Sequence, residues 1–194
     1  MEQIRSFVAI ELDESVAAGL AEVQKRLKGQ AVAGPLRWVA PRNIHLTLKF
    51  LGNIPAARVD EIQAAMAEAC QGLSPFQLTF GGLGCFPGLA RPRVVWVGVE
   101  DKTGTLTELQ GAVERNLKAI GFPPEGRPFS PHLTLARVRK PIRSGQIRKL
   151  GGLIQATTVG QIGQMTVEEV SLMRSDLRPT GAVYTRLAAV TLKR

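Results

Sequence analysis

The chain has 194 residues, of which 44% are hydrophobic and 21% are charged, and its formal net charge at pH 7 is +9. This composition fits a globular protein and excludes a disordered one. No apolar stretch reaches the length of a membrane span, and two cysteines, Cys70 and Cys85, are too few for a disulfide framework. Because the N-terminus also lacks the apolar region of a signal peptide, we expect a cytoplasmic protein with no membrane partner.

Hydrophobic periodicity predicts strands interleaved with helices along the whole chain. In the first helix, apolar residues from Val16 to Leu27 recur at spacings of 4, 3 and 4, and Gly29 ends it. The other predicted helices cover about 58–70, 105–120 and 144–150. The predicted strands cover about 7–12, 36–39, 43–51, 76–80, 93–99, 128–138, 167–173 and 183–192.

One tetrapeptide occurs twice in this series of elements. His-Leu-Thr-Leu begins at His45 and again at His132, and these are the 2 histidines of the protein. A given histidine would be followed by the same three residues by chance roughly once in two thousand times. The order strand, helix, motif strand also occurs twice, with 38 residues from Phe7 to His45 and 37 from Val95 to His132.

This near-equal spacing predicts an internal duplication with one motif in each half. Strands mixed with helices, several of them antiparallel by loop length, indicate an α+β fold with two similar lobes and antiparallel sheets. Since no linker rich in Gly, Ser or Pro separates the halves, we expect residues 1–194 to form a single compact domain.

The repeated motif predicts a pair of catalytic histidines. In a strand, alternate side chains share a face, so His45 points with Thr47, and His132 points with Thr134. Two imidazoles can serve as the acid and the base of a displacement at phosphorus, while the threonine hydroxyls donate to non-bridging phosphate oxygens. Either histidine alone would be read as a hydrogen-bonded structural residue; the repetition favours catalysis.

No metal or other cofactor is expected, because no Asp or Glu adjoins either motif and the two cysteines are distant. A polyanionic partner is expected instead. Residues 126–167 contain no acidic residue but include seven cations: Arg127, Arg137, Arg139, Lys140, Arg143, Arg148 and Lys149. Beginning next to the second motif, such a segment suggests a track for a nucleic-acid backbone. The alternative is an ordinary solvated face.

The two motifs, His45-Leu-Thr-Leu-Lys-Phe-Leu-Gly52 and Ser130-Pro-His-Leu-Thr-Leu-Ala-Arg137, resemble the two HxTx motifs of the 2H phosphoesterase superfamily. Within it, the chain is most similar to the RNA 2′,3′-cyclic phosphodiesterases, also called the 2′-5′ RNA ligase family. The stretches Arg37-Trp38-Val39 and Pro92-Arg93-Val94-Val95-Trp96 also look like this family. The resemblance covers essentially the whole chain, and it implies a bilobed fold with both motifs facing a central groove.

The resemblance also implies the reaction, the opening of a 2′,3′-cyclic phosphate to a 2′-phosphomonoester. By this analogy His45 matches the proton donor to the leaving 3′ oxygen and His132 matches the base that activates water. Thr47 and Thr134 match phosphate ligands, and Arg137 matches the family arginine of the second motif. Regular alternation would put Arg137 on the face opposite His132, so a bulge or a strand end would be needed.

Three aromatic residues and one lysine admit two interpretations. Phe50 can offer a stacking face to a base, or it can pack in the core. Trp38 and Trp96 carry the same ambiguity. Lys49 alternates away from His45 and is interpreted as a rim charge rather than a catalyst.

Other functions are compatible with the same residues. They are RNA 2′-5′ ligation, a catalytically idle RNA-binding module, and a phosphodiesterase for small cyclic nucleotides or ADP-ribose cyclic phosphate. Intact His and Thr in both motifs favour an enzyme, and the acid-free segment favours RNA. The expected partner is RNA with 2′,3′-cyclic phosphate ends, transfer RNA fragments being one candidate. We expect a monomer without an obligate protein partner.

Overall fold

The computed structural model of the protein describes residues 2–139, 142–179 and 181–193. Within these ranges the chain forms nine strands and four α-helices. The strands are β1 (Gln3–Glu11), β2 (Leu36–Trp38), β3 (His45–Pro55), β4 (Phe76–Phe86), β5 (Val94–Glu100), β6 (His132–Val138), β7 (Gln161–Val167), β8 (Glu169–Arg178) and β9 (Gly181–Thr191). The helices are α1 (Glu14–Lys28), α2 (Val59–Cys70), α3 (Thr105–Ala119) and α4 (Ser144–Ala156).

The strands form two antiparallel sheets, each containing one of the repeated motifs. Sheet A has the order β3-β1-β8-β9, and sheet B has the order β2-β6-β5-β4-β7. The motif strand β3 pairs with β1, and the motif strand β6 pairs with β5, which is the corresponding strand of the second half. The predicted α+β architecture, with two antiparallel sheets and duplicated halves, is confirmed.

The two halves exchange one helix each. Helix α1 lies between β1 and β3 in the sequence, but it packs against β7 of sheet B. Helix α3 lies between β5 and β6, but it packs against α2 and β3 on the side of sheet A. The main hydrophobic cluster accordingly contains buried residues of both sheets, such as Leu46 of β3 and Leu133 of β6. Both lobes therefore depend on one shared core.

Each motif strand contains a β-bulge three residues after its histidine. The pairing of β1 with β3 shifts register between Val8 and Ala9, which leaves Leu48 as the extra residue of β3. The pairing of β5 with β6 shifts in the same way, so that Leu135 is the extra residue of β6. Because a bulge reverses the alternation of side chains beyond it, the residues five positions after each histidine return to the histidine's face.

Several element boundaries differ from those predicted. The strand β7 was not predicted, because its sequence Gln-Ile-Gly-Gln-Met-Thr-Val is half polar and it forms the edge of sheet B. The helix α4 extends to Ala156 rather than to residue 150, and β6 begins at His132 rather than at residue 128. None of the helices found in the described ranges combines the length and the apolar character needed to cross a membrane.

Candidate active site

His45 and His132 are the first residues of their strands, and both rings are fixed by the same type of hydrogen bond. Nδ1 of His45 lies 3.0 Å from the carbonyl oxygen of Asn43, and Nδ1 of His132 lies 2.7 Å from that of Ser130. A carbonyl oxygen only accepts, so each Nδ1 carries the hydrogen and donates it. In the neutral ring, Nε2 then holds the free lone pair that a general base requires.

Aromatic side chains surround both imidazoles, but they differ between the sheets. The ring of Phe7 stacks on His45, with 4.6 Å between centroids and 24° between planes, and Tyr184 meets His45 edge-on at 5.0 Å. Around His132, Phe86 is edge-on at 4.9 Å, and Trp96 is tilted with its centroid 6.5 Å away. These contacts restrict ring rotation and limit the access of water.

The electrostatic environment of His45 favours its neutral form. Burial is the largest cause and lowers the pKa of His45 below its usual value of 6.5, while the hydrogen bond to Asn43 and the charge of Glu11 act in the opposite direction. The positive charge of Arg137 lowers the pKa of His45 further. Arg137 belongs to sheet B and His45 to sheet A, and the two motif strands β3 and β6 contact each other, so both sheets contribute to one cleft.

The bulges bring Phe50 and Arg137 to the faces of their respective histidines. Both residues lie five positions after a histidine, and both follow a bulge at the third position. Phe50 is 60% exposed and its ring is 6.2 Å from that of Phe7. Its interpretation as a core residue is therefore wrong. Arg137 is also exposed, and the bulge that its participation required is present.

Thr47 and Thr134 are half-buried, two residues after their histidines and before the bulges. Thr47 lies opposite Ala9 of β1, and Thr134 lies opposite Trp96 of β5. Regular alternation up to the bulge puts each threonine on the face of its histidine.

Two other candidates lie away from the cleft. Lys49 is only 4% exposed, and its Nζ donates to Glu114 Oε2 at 2.7 Å and to the carbonyl oxygen of Pro123 at 2.8 Å. Its interpretation as a rim charge is wrong. Trp38 packs against the core side of sheet B, with the Nζ of Lys28 5.3 Å from its ring centroid.

Trp96, in contrast, borders His132, and Gly84 on the neighbouring strand makes room for it. A Cβ atom at Gly84 would lie 2.3 Å from the indole ring, so any other residue at this position would displace the tryptophan. Trp96 Nε1 is buried without a hydrogen-bond partner within the described residues.

Sequence analysis missed two residues that shape the site, Tyr184 and Asn43. Tyr184, the single tyrosine of the chain, comes from β9 and contacts both Phe7 and His45. Burial raises the pKa of Tyr184, while the charges of Arg137 and Arg5 lower it. The amide of Asn43 donates to the carbonyl oxygen of Ala182 at 2.7 Å and so connects β9 to the turn before His45. No motif marks these residues; only the proximity of Asn43 to His45 was visible in the sequence.

A buried glutamine supports the bulge of β6 from the other side of the sheet. Gln24 of α1 is 1% exposed, and its Nε2 donates to the carbonyl oxygens of Leu135 at 3.0 Å and Val39 at 2.8 Å. In the first motif strand, Gln110 of α3 donates to the carbonyl oxygen of Leu48 at 3.4 Å. Each bulge is therefore held by a helix whose sequence position is in the other half.

Among the described residues, no three or more His, Cys, Asp or Glu side chains lie close enough together to hold a metal ion. Both free cysteines are buried, and burial raises the pKa of Cys70 to about 11. The chemistry available in the cleft is thus that of two imidazoles, hydroxyl groups, a guanidinium group and aromatic faces.

Two histidines on a duplicated pair of sheets, each with Nε2 available, define the class of the two-histidine phosphoesterases. The family described as LigT like Phosphoesterase matches the chain twice, over residues 10–96 and 97–184, and so reproduces the duplication. The protein belongs to this family.

Curated relatives and solved structures agree with this assignment. An RNA 2′,3′-cyclic phosphodiesterase from Methanothermobacter thermautotrophicus is 35% identical over 190 residues, covering 98% of this chain and 100% of the relative. A protein of the same name from Aquifex aeolicus is 33% identical over 189 residues, covering 95% of each chain. The crystal structure of TT0787 from Thermus thermophilus superposes with a TM-score of 0.78 at 29% identity, covering 97% of this chain and 98% of that one. E. coli LigT complexed with 3′-AMP superposes over 100% of both chains, with a TM-score of 0.76 and 26% identity.

Proposed function

We propose that the protein hydrolyses the 2′,3′-cyclic phosphate ends of RNA to 2′-phosphomonoesters without a metal ion. The observation that carries the proposal is the pair of identically fixed histidines, one on each sheet, with Arg137 acting across the cleft on His45. The names of the curated relatives and the nucleotide complex of E. coli LigT support RNA ends as the substrate class.

In the proposed mechanism the histidines act on opposite sides of phosphorus. His132 Nε2 removes a proton from water as the water oxygen bonds to phosphorus. The bond from phosphorus to the 3′ oxygen breaks, and His45 Nε2 supplies the proton that this oxygen needs. The two imidazoles end with exchanged protonation states and are reset by solvent. The same steps with the 5′-hydroxyl group of a second RNA in place of water describe 2′-5′ ligation.

Thr47, Thr134 and Arg137 are proposed to hold the non-bridging oxygens, on which negative charge increases in the transition state. Phe50 is proposed to stack on the terminal base, since an exposed aromatic face beside the cleft suits any nucleobase. The phosphate monoanion has a second effect: next to His45 it stabilises the imidazolium and offsets the burial that lowers the pKa of His45. Substrate binding therefore favours the protonated donor.

We further propose that the protein acts in the cytoplasm as a monomer, without an obligate protein partner. The deciding experiment is incubation with an oligonucleotide ending in a 2′,3′-cyclic phosphate, in the presence of EDTA, with the product identified by phosphorus NMR. The expected product is the 2′-phosphomonoester. A 3′-phosphomonoester, an unchanged substrate, or activity that requires added Mg²⁺ or Zn²⁺ would overturn the proposal.

A further inference from the structure

Next to Arg137, sheet B and the residue that follows β6 place two further arginines on the cleft side, Arg37 and Arg139, which the proposed reaction does not use. Arg37 of β2 is the direct cross-strand partner of Arg137 of β6. Directly opposed residues of an antiparallel pair point to the same face, with Cβ atoms about 4.5–5.5 Å apart. Their neighbours Leu36 and Ala136 are buried in the core on the other face. Arg37 therefore shares the cleft face with Arg137.

Arg139 extends this group away from the histidine. It follows β6 by one residue, and its backbone N–H donates to the carbonyl oxygen of Pro35 at 2.8 Å, so the extended path of β6 beside β2 continues to it. Two residues of extended chain put it about 6.6 Å beyond Arg137. All three arginine side chains are exposed.

The charges of these arginines are not balanced by the protein. Among the described residues, none of the three has a carboxylate within salt-bridge distance, whereas two arginines of sheet A are paired: Arg174 with Asp176, and Arg186 with Glu169. Like charges directly opposed across a strand pair are destabilising. Three close guanidinium groups without a counter-ion are suited to bind a ligand that carries more than one phosphate.

We propose that Arg37 and Arg139 form a subsite for the phosphodiester that links the terminal nucleotide of RNA to its neighbour. This inference rests on the proposed function, in which Arg137 and the two histidines hold the terminal cyclic phosphate. The order His132, Thr134 and Arg137 in β6, followed by Arg139 just after it, then leads from the reacting phosphate to the next phosphate of the RNA. The protein consequently prefers an oligonucleotide end to a cyclic mononucleotide.

The structure also divides the acid-free segment between two faces of sheet B. Helix α4 contributes Leu150 and Ile154 to the cluster that contains Ala136, so it covers the face opposite the cleft. Its exposed cations Arg148 and Lys149 belong to that outer layer. The sequence suggested a nucleic-acid track along this segment, with a solvated face as the alternative; the cations of α4 lie on the face opposite the cleft, and Lys140 lies outside the described residues. The cations of α4 provide a control with matched charge.

The test compares the double variant R37Q/R139Q with the control R148Q/K149Q, which removes the same charge from the outer layer. Each is assayed on adenosine 2′,3′-cyclic monophosphate and on a tetranucleotide that ends in a 2′,3′-cyclic phosphate. For R37Q/R139Q the ratio of kcat/KM for the tetranucleotide to that for the mononucleotide should fall about tenfold. The control should keep the wild-type ratio, and R37K/R139K should restore most of it because the charges return.

Direct binding of the labelled tetranucleotide, titrated with salt, measures the same contact independently of turnover. For one lost phosphate contact, the slope of log K against log salt should become shallower by about 0.7 in R37Q/R139Q alone. An unchanged ratio and slope, or an equal loss in the control, would overturn the subsite. If the wild-type protein turns over neither substrate, the proposed function fails, while the binding slopes still decide whether the subsite exists.

Discussion

The two motif strands, β3 and β6, have the same local structure from the histidine to the bulge, and they differ in the residues that follow the bulge. In both, the histidine begins the strand, its Nδ1 donates to a carbonyl oxygen two residues earlier, and a bulge follows at the third residue after it. Beyond the bulge, β3 continues with Lys49 and Phe50, whereas β6 continues with Ala136 and Arg137. The shared part fixes the imidazoles, and the part that differs decides what each lobe presents to a ligand.

At the fifth position after each histidine, this difference gives the cleft a charged side and an aromatic side. Sheet B presents Arg137 together with Arg37 and Arg139, all without carboxylate partners in the described ranges. Sheet A presents the exposed ring of Phe50, and its lysine at the preceding position is buried in an ion pair with Glu114. A nucleotide has the same division, with a phosphate at one end and a flat base at the other.

The largest expected effect tests what the strands share. His45→Ala and His132→Ala should each lower kcat on a cyclic-phosphate substrate by about 10²-fold or more, because each removes one partner of the proton transfer. The double variant should be little worse than either single variant, since residues that act as a unit are not additive. Steady-state assays at a fixed pH, with circular dichroism to verify folding, provide the measurement.

Near-normal turnover in either single histidine variant would remove the acid–base scheme. A multiplicative loss in the double variant would show that the two sheets act independently. Cys70→Ala is a suitable control, since it changes a buried residue outside the cleft.

The next effect concerns stability at the position where β3 has Lys49 and β6 has Ala136. It tests how the buried ion pair of Lys49 with Glu114 contributes to the free energy of unfolding. Glu114→Gln should lower the free energy of unfolding by about 3 kcal/mol, because it leaves the buried ammonium group of Lys49 without its counter-charge. Lys49→Met should cost less than about 1 kcal/mol, since it removes the buried charge itself and Glu114 keeps access to solvent. Urea denaturation at pH 7 measures both values. If Lys49→Met lowered the free energy of unfolding as much as Glu114→Gln, the ion pair would stabilise the fold on balance. Its attraction would then do more than offset the cost of burying the lysine charge.

The third effect tests the division into charged and aromatic sides. Arg137→Gln should lower kcat/KM about 10- to 100-fold for every cyclic phosphate, because it removes a charge-assisted contact to the reacting group. Phe50→Ala should raise KM by about tenfold, with an effect that depends on the terminal base and leaves kcat nearly intact. Assays on the four cyclic mononucleotides separate the two patterns. A base-independent loss of kcat in Phe50→Ala would contradict a stacking role.

Sequence reasoning singled out the candidate site residues but not the contacts that hold them. The histidines and threonines stand out because a repeated tetrapeptide is a local pattern, and the near-equal spacing of the halves was enough to predict the duplication. The bulges were not predictable. Leu48 and Leu135 look like ordinary strand residues, and only their pairing with β1 and β5 reveals them. Regular alternation therefore gave the wrong face for Arg137.

The exchange of helices and the role of Tyr184 were beyond the sequence for a different reason. Periodicity shows that α1 has an apolar stripe, but it cannot show that the stripe packs on sheet B rather than on the sheet of its neighbouring strands. Tyr184 is 139 residues from His45 in the sequence, and no motif connects them. Long-range packing of this kind is set by the whole core.

A smaller effect tests the support of the second bulge. Gln24→Ala should lower the free energy of unfolding by about 1 kcal/mol and lower kcat/KM several-fold, because the bulge that directs Arg137 into the cleft loses its side-chain hydrogen bond. In an Arg137→Gln background the same change should cost stability but little further activity. Gln110→Ala is the matched control, since its bond to Leu48 is longer at 3.4 Å. Additive losses of activity in Gln24→Ala with Arg137→Gln would show that Gln24 does not act through Arg137.

The smallest effect concerns the pKa of His45 and the aromatic side chains that pack against the two imidazoles. Burial lowers the pKa of His45, so its neutral form is favoured in the folded protein. The resulting contribution to stability is fully present above the ordinary histidine pKa of about 6.5, and it is lost as the pH falls through the lower pKa of the folded state. Tyr184→Ala should admit water to His45 and raise its pKa towards the ordinary value, which also weakens the loss of stability in acid.

Proton NMR can follow this titration directly, because the protein has 2 histidines and His132→Ala assigns the remaining signal to His45. Phe86→Ala is the matched control. It removes an aromatic ring that is edge-on to His132 and should leave the pKa of His45 in place. If Phe86→Ala moved the pKa of His45 as far as Tyr184→Ala did, the aromatic residues around His132 would also contribute to the burial of His45. If Tyr184→Ala left that pKa unchanged, the burial that lowers it would come from the stacked ring of Phe7 rather than from Tyr184, and Phe7→Ala would raise it.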